Sequence, residues 1–163
     1  MTTTINDYDE IVRRHQNEPP VQIVPIANDM GLNVYRVSDW KDTLSGMIVR
    51  DKERGGKSGY AIFVNASHAQ TRRRFTIAHE LAHYALHGNL IGDGIKDDAL
   101  YRSGLSSKVE AQANRYAADI LMPWHLVNNL LRKGEEDTEK LARIFNVSRS
   151  AMSIRLGVPY EVS

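Results

Sequence analysis

Hydrophobic and polar positions change their period along this chain, and the changes mark its elements. Residues 5–17 read as a short helix that stops before Pro19-Pro20. Residues 21–30 read as another, with Gly31 just past its end. Three runs richer in β-branched residues follow, Leu32–Val37, Gly46–Arg50 and Tyr60–Asn65, the last of which (YAIFVN) is the clearest strand. Between two of them, Asp51–Gly59 is polar and glycine-rich, as a hairpin loop would be. From Ser67, placed to cap a first turn, the period becomes helical. Phe75, Ala78, Ala82 and Leu86 fall at helical spacing, as do Ile77, Leu81 and Ala85, and Gly88 follows the last of them. Apolar residues around so much of a helix predict that it is largely buried. Residues 88–106 read as a glycine- and aspartate-rich loop and 107–122 as a second long helix. Pro123 opens a third helix that Gly134 ends, and short helices are expected near 138–145 and 148–156. Helices, then a small and mainly antiparallel sheet, then helices again predict an α+β fold.

Composition narrows the chemistry. The 163 residues suit one domain with at most a small appendage, and 42% hydrophobic with 25% charged content is that of a globular protein. A formal net charge of +1 gives no overall field for nucleic acid or for cationic substrates. The absence of cysteine excludes disulfides and thiolate-ligated zinc, so a metal must use histidine and carboxylate. The opening MTTTINDYDEIVRRHQ has no apolar signal-like stretch, and no run approaches the roughly 18 apolar residues of a membrane span. A soluble, cytoplasmic protein without a membrane partner is the expectation.

The strongest chemical signal is His79-Glu80-Leu81-Ala82-His83. Histidines four apart share a helix face, so both imidazoles can reach one metal ion. Zinc lowers the pKa of a water it binds towards about 7, and a carboxylate at Glu80 would take the proton. The alternative is a short pattern met by chance, its histidines satisfied in a core; against it, buried imidazoles need partners. A third ligand is required, and Glu110 at the start of the second helix is the choice. It shares a face with Ala113, Asn114, Ala117 and Leu121, small enough on average for close helix packing. The competing reading makes Ser107-Lys-Val-Glu110 a capping box, with Glu110 only closing the helix start. Asp93, Asp97 and Asp98 are rival ligands.

Arg72-Arg-Arg-Phe-Thr-Ile-Ala-His-Glu-Leu-Ala-His-Tyr-Ala-Leu-His87 resembles the zinc helix of the ImmA/IrrE metallopeptidases. Glu110-Ala-Gln-Ala-Asn-Arg-Tyr-Ala-Ala-Asp-Ile-Leu-Met-Pro123 resembles their second signature. Weaker likeness covers Ile23–Val37 and Tyr60–Asn65. The resemblance implies a gluzincin-like site with His79, His83 and Glu110 on Zn(2+) and Glu80 as catalytic base. It also implies a zincin-like pair of helices, cytoplasmic action, and a transcriptional repressor as protein substrate or partner. Tyr116 stands where phenylalanine is usual in the family, and Ala82 where glycine is common. The chain then divides into a metallopeptidase domain over 1–134 and a helical tail over 135–163.

Weaker features surround this centre. His87 continues the four-residue series and could orient substrate or steady an oxyanion, or simply favour the helix dipole. Asn114 could hydrogen-bond a ligand. Tyr116 and Tyr84 are candidate electrophiles, with core or rim positions as the alternative. His125 could approach the site, while His15 and His68 read as surface residues. Arg72-Arg73-Arg74 reads as a solvated basic face or a contact for an acidic partner. Residues 141–156 resemble a helix-turn-helix capped by Ser148, but Glu135, Glu136, Asp137 and Glu139 would repel phosphate, so a pair packed on the core is favoured over DNA binding. The Tyr60–Asn65 strand is the candidate for holding substrate backbone. These features together point to a zinc-dependent endopeptidase acting on a protein substrate. The alternative is a zinc-containing regulator that binds DNA or a repressor without proteolysis.

Overall fold

The computed structural model describes residues 5–98 and 105–158. Residues 1–4, 99–104 (part of the expected 88–106 loop) and 159–163 (the end of the expected tail) lie outside the described residues. In chain order the elements are α1 (Ile5–Arg14), α2 (Ile23–Asp29), β1 (Asn33–Val37), β2 (Leu44–Arg50), β3 (Tyr60–Asn65), α3 (Gln70–Leu86), α4 (Gly88–Ile91), β4 (Gly94–Asp98), α5 (Ser107–Leu121), α6 (Trp124–Arg132), α7 (Thr138–Phe145) and α8 (Arg149–Leu156). The fold is α+β, as the change of period predicts. Among the described residues no helix is long and apolar enough to cross a membrane.

The sheet runs in the order β1-β3-β2-β4, with β1 parallel to β3 and the other two pairings antiparallel. Every residue of β3 is buried. Tyr60, Ile62 and Val64 face the main core beside Ile77, Ala78 and Leu81 of α3. On the opposite face Phe63 stacks on Tyr35 at 5.4 Å and lies under the Arg54 guanidinium at 5.1 Å. Burial on both faces explains why YAIFVN is apolar almost throughout, where a half-exposed strand would alternate.

Two expectations fail here. β3 lies between β1 and β2, so both its backbone edges are paired and it cannot hold substrate as an edge strand. Residues 88–98 are not loop: they form the turn of α4 and the edge strand β4, which pairs with β2 from Gly94 to Asp98. Gly-Ile-Lys-Asp-Asp has little β propensity, and its pairing comes from the neighbouring β2 backbone.

Gly46 fixes how closely α3 approaches the sheet. A Cβ there would meet Thr76 Cγ2 at 2.5 Å and the Phe63 carbonyl oxygen at 3.1 Å, with Glu80 Cγ at 3.7 Å. Glycine in the middle of a strand thus marks a close approach between elements. Entry into α3 also differs from expectation, because its N-cap is Ala69, with no side-chain cap. Ser67 lies too early, and its amide and hydroxyl donate to Asn65 Oδ1 at 3.0 and 2.7 Å. The buried Asn65 amide in turn donates to the carbonyls of Lys41 and Leu44.

The last two helices share the main core through Leu141, Phe145 and Met152. Ser148 caps α8 as predicted, accepting from Ala151 N at 3.0 Å. Arg74 is buried and donates to the carbonyls of Phe145 and Asn146, tying α3 to the end of α7. The 72–74 triplet is therefore not one solvated face: Arg73 donates to the His68 carbonyl and Arg72 to Ser45 Oγ.

Candidate metal centre

His79 and His83 sit one turn apart on α3, within its buried stretch from Thr76 to His83, which packs against both sheet and α5. α5 packs across this stretch of α3: Asn114 meets His79, Glu110 meets both His79 and His83, and Gln112 meets His87. The long connection after α4 brings α5 back alongside α3, which puts Glu110 beside both histidines. His79 Nε2 lies 3.1 Å from Glu110 Oε2, His83 Nε2 lies 3.1 Å from Glu110 Oε1, and the two Nε2 atoms are 3.1 Å apart. His83 is fully buried, and His79 nearly so.

Hydrogen bonds behind the rings set their tautomers. Asn114 presents Oδ1 to His79 Nδ1 at 2.7 Å, so Nδ1 carries the proton and Nε2 keeps its lone pair. Gln112 presents Oε1 to His87 Nε2 at 2.9 Å. His87 Nδ1 then accepts from His83 Nδ1, 3.0 Å away, which leaves the His83 Nε2 lone pair facing Glu110. Burial, and after it the nearby His79, push the His83 pKa down to about 4, so the ring is neutral at pH 7.

Two imidazole lone pairs and a carboxylate brought this close repel one another unless a cation lies among them. The three residues could hold one metal ion, their ligand atoms all lying within 4.8 Å of each other. Imidazole and carboxylate suit borderline divalent ions. Glu80, fully buried next to His79 in sequence, has both carboxylate oxygens without a hydrogen-bond partner among the described residues. A carboxylate desolvated in this way is costly to keep, and a nearby cation would offset that cost. The donor set fits a metal.

The helix cap separates the competing readings of Glu110. Ser106, not Ser107, caps α5, accepting from Val109 N at 3.3 Å. The third helical position is therefore Val109, so the capping box predicted on Ser107 is one residue out of register and Glu110 does not close it.

The remaining candidates scatter. His87 has both ring nitrogens engaged, by His83 and Gln112. Tyr116 lies on another side of α5, lining a small pocket with Asp9, Val12 and Arg13; burial first, then the Asp9 carboxylate, raise its pKa. Tyr84 packs between Tyr8 and Tyr60. His125 bonds to the Gln16 carbonyl and His15 to Asp29. His68 is buried rather than on the surface, bonded to the Asp42 carbonyl. Asp93 is exposed, 3.7 Å from Arg50. Asp97 and Asp98 fall on β4, and their side chains lie outside the described ones. Gln112 is the residue the sequence did not single out. It is offset from the Glu110–Asn114 face of α5, so only the packing of α5 on α3 reveals it.

No curated protein matches the chain. Among solved structures, a Mycobacterium tuberculosis transcriptional regulator superposes with a TM-score of 0.61 at 18% identity, over 96% of this chain and 47% of that one. That likeness is one of fold, and the chain spans about half the regulator's length. The family model of the IrrE N-terminal-like domain, Peptidase_M78, matches residues 27–157, from α2 to the end of α8 and through every residue of the candidate centre, so the chain belongs to that peptidase family.

Proposed function

We propose that this protein is a zinc-dependent endopeptidase whose substrate is a protein, a transcriptional repressor, cut in the cytoplasm. The observation that carries the reading is the fully buried Glu80 carboxylate, without a hydrogen-bond partner among the described residues, beside a His79–His83–Glu110 cluster. Membership of a peptidase family supports it, and the fold shared with a transcriptional regulator is compatible with a regulatory partner. We assign residues 1–134 to the metallopeptidase domain and 135–163 to its helical tail.

His79, His83 and Glu110 would hold the ion, which when bound acidifies water and polarises a carbonyl. Glu80 takes a proton from the attacking water and delivers it to the leaving amine, for which a desolvated carboxylate is well suited. Asn114, and the His87–Gln112 pair, keep the two imidazoles in the tautomer that presents Nε2. Tyr116 takes no part in this account, since it faces α1.

A proteome-derived peptide library incubated with the zinc-loaded protein tests the reading. New termini found by mass spectrometry, absent with Glu80→Gln, are expected; no new termini would overturn it. Co-expression with candidate transcriptional repressors tests the repressor assignment, read as fragments that vanish in the same variant.

A further inference from the structure

Between α3, α5 and α8 lies a cavity of about 690 Å³, well within the size of clefts that take ligands. Phe75, Ala118, Met122 and Ile154 give it apolar walls. Ile154 is 79% exposed, on a helix whose opposite side buries Met152 in the core. Arg72 and Arg115 line the same cavity and are exposed, and among the described residues neither has a carboxylate partner. Arg155 differs from them. It pairs with Asp119 at 2.9 Å, donates to the Met122 carbonyl and lies 4.4 Å over the Trp124 ring, so it fastens the wall. Asn114 lines the cavity and also holds His79, so the cleft runs up to the candidate metal centre.

We propose that this cleft is a recognition site for a polypeptide segment that combines apolar with acidic side chains. The apolar side chains lie against Phe75, Met122 and Ile154, and the carboxylates meet Arg72 and Arg115. That the segment belongs to the substrate, next to the bond to be cut, rests on the peptidase reading above; the preference for acidic and apolar side chains does not. Two exposed arginines, neither paired with a carboxylate among the described residues, supply at the edge of an apolar cleft the charge complementarity that fixes register and excludes basic competitors. Ile154 and its apolar neighbours supply the area that binding needs.

The same geometry argues against a duplex. Ser150 and Ile154 lie on the face of α8 that a helix-turn-helix would turn towards bases. Here that face looks across the cleft at α5. Ile154, exposed and apolar, takes a position from which such a helix would hydrogen-bond to bases.

The test uses the full-length protein carrying Glu80→Gln, so that bound peptides survive. Random peptides displayed on phage are selected on it, and the winners are synthesised with a fluorescent label. Expected winners combine Leu, Ile or Phe with Asp or Glu. Their affinity, read by fluorescence polarisation, should fall at least about tenfold with Arg115→Glu and with Ile154→Asp. Both positions are exposed, so melts and zinc content should match those of the parent. No enrichment, winners rich in Lys or Arg, or binding indifferent to both substitutions would overturn the proposal. So would displacement of the peptide by random duplex DNA that itself binds more weakly to Arg115→Glu. Winners that bind as described but are not cut by the wild-type protein, with no other peptide cut either, leave the cleft standing and remove the peptidase reading. Cutting that ignores both substitutions does the reverse.

Discussion

His87 Nδ1 lies 3.0 Å from His83 Nδ1, and Gln112 takes the other side of the His87 ring. The two histidines of α3 and the one at its C-cap are thus divided in role: two turn Nε2 towards Glu110, and the third stands behind one of them. Removing such a support typically lowers metal affinity about 10–100-fold. His87→Ala is expected to do so while keeping the fold, and Gln112→Ala to follow in the same direction by a smaller factor. Competition with a chelator measures this. Affinity unchanged in both variants would reduce the contact to packing.

Gly46 gives a prediction about the platform under the site. Gly46→Ala forces a methyl against Thr76 and the Phe63 carbonyl, and overpacking of this kind typically costs about 1–3 kcal/mol. Because Glu80 lies against the same spot, peptidase activity should fall along with stability. Thr76→Ser removes the methyl that clashes, so a double-mutant cycle by urea melts should show part of the loss recovered. Strict additivity would mean that the strain lies elsewhere.

The site was more legible in the sequence than the frame around it. His79, His83 and Glu110 meet where the spacing and the two signatures place them, because four-residue spacing on a helix is a rigid ruler. The strands β1 to β3 and helices α5 to α8 also lie close to the predicted bounds. β4 was not visible, since Gly-Ile-Lys-Asp-Asp becomes a strand only because β2 offers an edge. The central place of β3 was equally hidden, because a chain does not announce that β1 will pair parallel with it. Arg74 looked like part of a solvated triplet, and its burial depends on α7 ending above it, some seventy residues on. The caps show the finer limit: Ser67 and Ser107 had the right chemistry at the wrong register, and only backbone angles choose Ala69 and Ser106.

Acid should loosen the metal-free protein through His83. Burial and His79 hold its pKa at about 4, against an ordinary value of 6.5. Between those values the unfolded chain binds the proton and the folded chain does not. Stability from this group is therefore full above about pH 6.5 and is lost as pH falls towards 4. The loss is at most about 3 kcal/mol. Urea melts of chelator-treated protein across that range should show the fall, and His83→Asn should flatten it. An equally steep fall in the variant would assign the effect to other groups.

Glu80 and Glu110 are both glutamates in the buried centre, and the structure predicts opposite behaviour for them. Glu80 is fully buried, and neither of its oxygens has a hydrogen-bond partner among the described residues. Glu80→Gln keeps the volume and leaves an amide as unpartnered as the carboxyl it replaces, so the metal-free protein should melt within about 1 kcal/mol of the parent. It should keep its zinc yet lose peptidase activity by about 10²–10⁴-fold, because an amide cannot take the proton. Glu110 lies 3.1 Å from both imidazoles and does not close the α5 cap. Glu110→Ala should therefore weaken zinc itself, with activity lost as a consequence, and the helix start should survive because Ser106 still caps it. Chelator competition, melts with and without zinc, and peptide cleavage on the two variants separate these roles. Zinc lost from Glu80→Gln, or retained at full affinity by Glu110→Ala, would break the assignment of base and ligand.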